Sequence, residues 1–133
     1  MTQENVEVAR RWLDAFNRRD KAACLALCDP EFEWVPPSNW PENAPIRGHE
    51  AIWEFIVELD EAWEEGSYDI IELIDCGDDK VAGRVARHVR GKASGVDADF
   101  EYWNVVTLRR GKWLRSEWFT DRAEALEAAG LRE

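Results

Sequence analysis

The amino-acid sequence predicts an α+β fold, in which a curved, mostly antiparallel sheet wraps around N-terminal helices and a short helix ends the chain. Three observations carry that expectation. Apolar residues recur at helical spacing mainly in the first half of the chain, whereas alternating strand patterns dominate from residue 68 onward. The strands there are joined by turns too short for the crossover that parallel neighbours need. Helices gathered at the front of the chain then cover one face of the sheet.

Over residues 4–18, Val6, Ala9, Leu13 and Phe16 share one helical stripe that Val8, Trp12 and Ala15 widen. Asp20 is placed to cap a short second helix, Lys21 to Cys28, with Ala23, Leu25 and Leu27 turned inward. Asp29-Pro30 ends it. Phe32 to Val35 reads as a short strand closed by Pro36-Pro37, because proline cannot extend a hydrogen-bonded ladder. Ser38 to Gly48 is a proline-rich loop in which Trp40 is placed to fold over a pocket mouth.

After Gly48, the residues Ile52, Phe55, Ile56, Leu59 and Trp63 form the apolar stripe of a third helix, which Gly66 ends. Its opposite face carries Glu50, Glu54, Glu58, Glu61 and Glu65, a solvated surface rather than a cation site. Tyr68 to Asp75 and Lys80 to Arg90 are strands flanking a turn. In the second, Val81, Gly83, Val85, Arg87 and Val89 share one face, and Ala82, Arg84, Ala86, His88 and Arg90 the other. A turn at 91–95 leads into a hairpin of Ala98 to Leu108 and Trp113 to Thr120, and a capped helix runs from Asp121 to Gly130.

The chain of 133 residues, 45% of them apolar, suits one domain over residues 1–133 with about two-thirds of its unfolded surface buried. A net charge of −11 argues against nucleic acid and anionic membranes, both of which need clustered Lys and Arg. Neither a secretion signal nor a membrane span is expected, so the chain reads as cytoplasmic. Cys24, Cys28 and Cys76 lack metal-ligand spacing and read as structural cysteines of a reducing compartment. No phosphate loop, nucleophile elbow or metal-spaced set occurs, and neither cofactor nor metal is expected. The eight tryptophans exceed what such a core readily hides, which points to a cavity or a subunit interface.

Several stretches resemble the SnoaL-like, or nuclear transport factor 2-like, superfamily: Trp12 to Asp20, Asp29 to Trp34, Ile46 to Ile52, the turn ending in Ser94-Gly95, and above all Leu108 to Leu131 with Glu117-Trp118-Phe119. The resemblance covers nearly the whole chain and implies a cystatin-like α+β cone. Trp12, Phe16, Trp34, Phe55 and Trp63 would then wall a pocket for a small apolar organic molecule. Ketosteroid isomerases of this superfamily use a base and a phenol at positions that match Val35 and Trp12, so that chemistry is absent. Their penultimate-strand acid matches Asn104. Epoxide hydrolases of the superfamily use an Asp/Arg/Asp set. Glu117 matches its last member, while the 80–90 strand offers Arg84, Arg87 and His88 but no carboxylate. SnoaL-type cyclases use an acid/base on the same sheet, a role open to Glu117 alone or with His88.

If Leu108 and Trp113 are cross-strand partners, simple alternation places Tyr102, Asn104, Val106, Arg115, Glu117 and Phe119 on the pocket face. Glu101, Trp103, Val105, Leu114, Ser116 and Trp118 fall on the other, where Trp103, Val105 and Trp118 suit the back-to-back homodimer that the resemblance implies. The candidate acid/base residues are accordingly Glu117, Asn104 and His88, with Arg87, Tyr102, Arg115 and Phe119 added to the aromatic walls. Each has a structural alternative. Glu117 can instead pair with Arg115 or with an arginine of the neighbouring strand; Arg87 can clamp an acidic substrate group or pair with Glu117, the pair being favoured; Asn104 can bridge backbone groups; His88 can lie at the surface. The activity expected is cofactor-independent isomerase, cyclase or hydrolase chemistry, and the alternative is a non-catalytic ligand-binding or dimerisation module.

Overall fold

A computed structural model describes residues 2–36, 44–62, 68–77 and 79–130. The elements in chain order are α1 (Thr2–Asn17), α2 (Lys21–Ala26), β1 (Cys28–Val35), β2 (Ile46–Arg47), α3 (His49–Ala62), β3 (Tyr68–Gly77), β4 (Lys80–Arg90), β5 (Asp97–Arg109), β6 (Lys112–Phe119) and α4 (Arg122–Ala128). Trp40, Trp63 and Gly66, which the sequence singles out, lie outside the described residues. Among the described residues no helix is long and apolar enough to cross a membrane.

The sheet has six strands in the order β2-β1-β6-β5-β4-β3, curved but not closed into a barrel. All neighbours are antiparallel except β1 and β6, which run parallel. The two-residue strand β2 pairs Glu33 with Arg47 and Trp34 with Ile46, inside what reads from the sequence as a loop. β1 begins at Cys28, earlier than the expected Phe32. Its pairing with β6 shifts register between Cys28 and Glu33, a stretch that holds Pro30, which has no N–H to give the ladder.

The inner face of the sheet packs on α1, α2 and α3. Trp12, Leu13, Phe16, Phe32, Trp34, Ile52 and Ile56 share one core with Val81, Val85, Val106, Leu108, Trp113 and Trp118. The outer face is covered by α4, whose Ala125 and Leu126, with the following Ala129, bury Ala82, Trp103 and Val105 in a second core. Asp121 caps α4 by accepting a hydrogen bond from the N–H of Ala123 at 3.0 Å.

The β5–β6 hairpin turns through Arg110 and Gly111, both with positive φ (54° and 74°), the two-residue turn that matches strand twist. Leu108 does pair with Trp113, but the next pair is Thr107 with Arg115. Leu114 is therefore an extra residue on β6, and a bulge of this kind reverses the facing of every later residue. Val106 pairs with Ser116 and Asn104 with Trp118 on the inner face; Val105 pairs with Glu117 and Trp103 with Phe119 on the outer face. The expected facing of Arg115, Glu117 and Phe119 into the pocket is thus corrected, and so is the outward facing of Ser116 and Trp118. The apolar patch expected at a subunit interface loses Trp118 by the same shift. Trp118 lies inside, while Trp103 and Val105 are covered by the chain's own α4.

Leu126 is only 5% exposed, so Leu126→Ala is expected to lower stability by about 2–5 kcal/mol in urea unfolding. A loss within about 0.5 kcal/mol, the range of surface substitutions, would contradict the packing of α4 on the outer face.

Candidate functional site

Helical spacing on α1 brings Trp12 and Phe16 onto one face, and α3 presents Ile52, Phe55 and Ile56. Together with Trp34 of β1, Tyr68 of β3 and Trp118 of β6 they line a cavity of about 20 Å³ between helices and sheet. That is room for about one water molecule. The rings pack closely. Trp34 and Phe55 have centroids 4.4 Å apart, Trp12 and Phe16 5.6 Å, and Tyr68 and Trp118 5.5 Å. Behind them Trp12 stacks on Trp113 at 4.5 Å, and the edge of Tyr102 meets Trp118 at 6.0 Å. Trp12, Phe16, Trp34 and Phe55 lie on the wall where the sequence expects them. Ile52, Ile56, Tyr68 and Trp118 are wall residues not singled out there.

Tyr68 is held by a side chain that imitates a strand. Asn17, the last residue of α1, donates from Nδ2 to the Tyr68 carbonyl at 2.8 Å and accepts from the Tyr68 N–H at 2.8 Å. Both backbone groups at the start of β3 are thereby satisfied, and the end of α1 is fixed to the sheet. Burial pushes the Tyr68 phenol up, against the opposing pull of Arg87. Burial also raises the Tyr102 phenol. Both hydroxyls therefore stay protonated as donors at neutral pH.

Arg87 projects from the inner face of β4 and is 7% exposed. Its guanidinium carbon sits 5.2 Å from the Tyr68 ring centroid, and Nη1 donates a long hydrogen bond of 3.4 Å to the Tyr68 hydroxyl. Its Nε and Nη2 are buried without a hydrogen-bond partner among the described residues, as is Nε1 of Trp118. The favoured pairing of Arg87 with Glu117 does not occur, because the bulge puts them on opposite faces of the sheet. Asp75, an acidic residue on the inner face, lies opposite Val81, six positions along β4 from Arg87 and roughly 20 Å away at the rise of a strand.

The three acid/base candidates are not brought together, and none lines the cavity. Glu117 stands on the outer face in a chain of charges crossing three strands. Arg115 lies 3.7 Å from Glu117 and 3.5 Å from Glu33, which Arg47 meets at 2.6 Å. Phe119 packs with the α4 core. His88 is exposed, its Nδ1 2.6 Å from Asp99. Asn104 is buried on the inner face, but its amide donates to the Ser116 hydroxyl at 2.7 Å and the Glu117 carbonyl at 3.2 Å, a bridge within the hairpin. Sequence alternation put Arg87 and His88 on opposite faces of β4, as observed; for β6 it misled.

The cysteines near the cavity are unsuited to nucleophilic work. Burial pushes the Cys28 thiol up to about 12 and the Cys24 thiol up to about 11. Cys28 accepts a hydrogen bond from Nε1 of Trp12 at 3.1 Å, and its carbonyl lies 3.0 Å from Nε2 of His49. The cavity is thus walled by aromatic and aliphatic side chains, and among the described residues no carboxylate or imidazole lines it.

Residues 9–116 match the family model described as SnoaL-like domain. TerC co-crystallized with polyporic acid is 25% identical, with a TM-score of 0.77 over 96% of this chain and 98% of that one. A nuclear transport factor 2-like protein from Burkholderia xenovorans is 25% identical, with a TM-score of 0.76 over 97% of each chain. A protein of ketosteroid isomerase-like fold from Catenulispora acidiphila, in complex with trimethylamine, is 17% identical, with a TM-score of 0.75 over 94% and 93%, a likeness of fold. No curated protein matches the chain in sequence.

Asn17→Ala leaves two backbone groups of Tyr68 without partners, and the expected result is a loss of about 1–3 kcal/mol in urea unfolding together with faster amide exchange at Tyr68. Unchanged exchange at that amide would contradict the clamp.

Proposed function

Because the chain belongs to the SnoaL-like domain family, we propose that it is a small-molecule-binding protein whose cone interior takes a flat, largely apolar organic molecule. The observation that carries this is the wall itself: six aromatic rings and two isoleucines converge from α1, α3 and the sheet on one internal space. Aromatic surface of this kind favours flat partners that stack or meet ring edges. TerC with polyporic acid and the Catenulispora protein with trimethylamine support the reading, in that proteins of this fold hold small organic molecules.

At about 20 Å³ the internal space is far below the few hundred Å³ of a typical ligand site, so binding entails outward movement of wall side chains. Phe55, on α3 and tilted 42° against Trp34, is one of two half-buried rings in this wall, with Tyr68. The small volume also favours a second reading, in which the chain is a non-catalytic module whose interior is filled by its own aromatics. Acid/base catalysis by Glu117, Asn104 and His88 is not retained in either reading. Two of the three face away from the interior, and the third spends its amide on the hairpin.

Tryptophan emission distinguishes the readings, since Trp12, Trp34 and Trp118 all border the space. Titration with a panel of naphthalene and quinone derivatives is expected to give saturable quenching with at least one of them. Trp118→Leu should weaken that ligand about tenfold, equivalent to about 1.4 kcal/mol, whereas Glu117→Gln should leave its affinity within about twofold. No saturable response across the panel would leave the filled module standing. Equal weakening by Glu117→Gln would contradict the inner and outer assignment of β6.

A further inference from the structure

We propose that the ligand of this cone is a flat organic anion, an aromatic carboxylate seated side-on against Nε and Nη2 of Arg87. The inference rests on the interior being a binding site and adds the chemistry that selects among flat molecules.

Arg87 is the only buried charged side chain among the described residues. A cation withdrawn from water is costly unless it is paired and hydrogen-bonded. Its partners within the protein are a tyrosine ring and one long hydrogen bond to a phenol, which stabilise a cation only in part. No carboxylate lies within ion-pair distance of it among the described residues, whereas Arg47, Arg84, Arg90, Arg109 and Arg115 all have one.

The two unpartnered nitrogens are specific. Nε and Nη2 form the edge of the guanidinium whose N–H bonds run parallel, the geometry that accepts both oxygens of a carboxylate. This protein uses that same edge twice at its surface. Arg90 holds Asp97 with Nε at 2.8 Å and Nη2 at 3.3 Å, and Arg109 holds Asp29 with Nε at 3.2 Å and Nη2 at 2.9 Å. At Arg87 the edge is buried and meets no acceptor among the described residues. A further unpartnered donor, Nε1 of Trp118, belongs to the ring stacked on Tyr68.

The surroundings supply the flat apolar remainder of the site. Phe100 is the cross-strand partner of Arg87, is 39% exposed, and stacks on Tyr102 at 6.0 Å. Arg87 is not among the residues that line the cavity, so seating a carboxylate on its edge entails opening the wall at Tyr68, whose ring it overlies and which stacks on Trp118. The net charge of −11 repels anions in general, so a preference for an anion must arise locally.

The test compares naphthoate with naphthamide, a neutral partner of nearly the same shape, at neutral pH by tryptophan quenching and calorimetry. Wild-type protein is expected to bind naphthoate at least tenfold more tightly. Arg87→Gln should erase that preference while retaining naphthamide, whose binding shows that the cone is intact. Arg87→Lys, which keeps the charge but not the parallel edge, should keep a reduced preference, and it carries the test if Arg87→Gln does not fold. Equal affinity of the two probes for wild type overturns the anion inference and leaves the binding reading in place. Binding of neither overturns both. A preference that survives intact in Arg87→Gln or Arg87→Lys overturns the assignment to Arg87.

Discussion

The arrangement of the interior depends on one extra residue in β6. A strand can present only alternate residues to one side, and Trp113 and Trp118, five positions apart, would face opposite ways in an unbroken strand. The bulge at Leu114 lets both indoles enter the same core. It also turns Glu117 and Arg115 to the outer surface, where their charges remain hydrated. Without it, a carboxylate and a guanidinium would enter an aromatic interior in place of Trp118 and Ser116, at the desolvation cost of buried ions. The composition of the cavity wall, the roof formed by α4 and the isolation of Arg87 all follow from this register.

Charges on the two faces have different meanings. The outer pairs, Arg115 with Glu117 and Glu33 or Arg109 with Asp29 and Glu31, are partly or largely solvated, and water screening leaves each of them little net contribution to stability. Arg87 is the one buried cation among the described residues, held by Tyr68, which Asn17 fixes in turn. A fold shaped by stability alone would place an apolar residue there, as β4 does at Val81, Val85 and Val89. The proposed anion site rests on this one departure from an apolar strand face.

Much of this architecture is visible in the amino-acid sequence because it rests on periodicity. The stripes of α1 and α3, the cap at Asp20 and the separation of Arg87 and His88 onto opposite faces of β4 follow from spacing alone. The facing of β6 does not, because Leu114 carries no mark of a bulge such as glycine. The separation of Trp113 and Trp118 was the available signal. β2 was hidden by its two-residue length amid prolines, and the roles of Asn17 and Tyr68 were hidden because a contact between residues 17 and 68 has no local pattern. Trp103 and Val105 suggested a subunit interface for a related reason: from the sequence an apolar strand face shows that something covers it, and only the three-dimensional path of α4 shows what.

The central claim is that the cone interior reads a flat anion through Arg87. The most direct measurement is a crystal structure of the protein with bromonaphthoate, located by the anomalous signal of bromine. The account predicts bromine among the rings of Trp12, Trp34 and Trp118, with both carboxylate oxygens on Nε and Nη2 of Arg87. Bromine at the outer face beside Glu117 and Arg115, or a protein carboxylate already seated on Arg87, would contradict it.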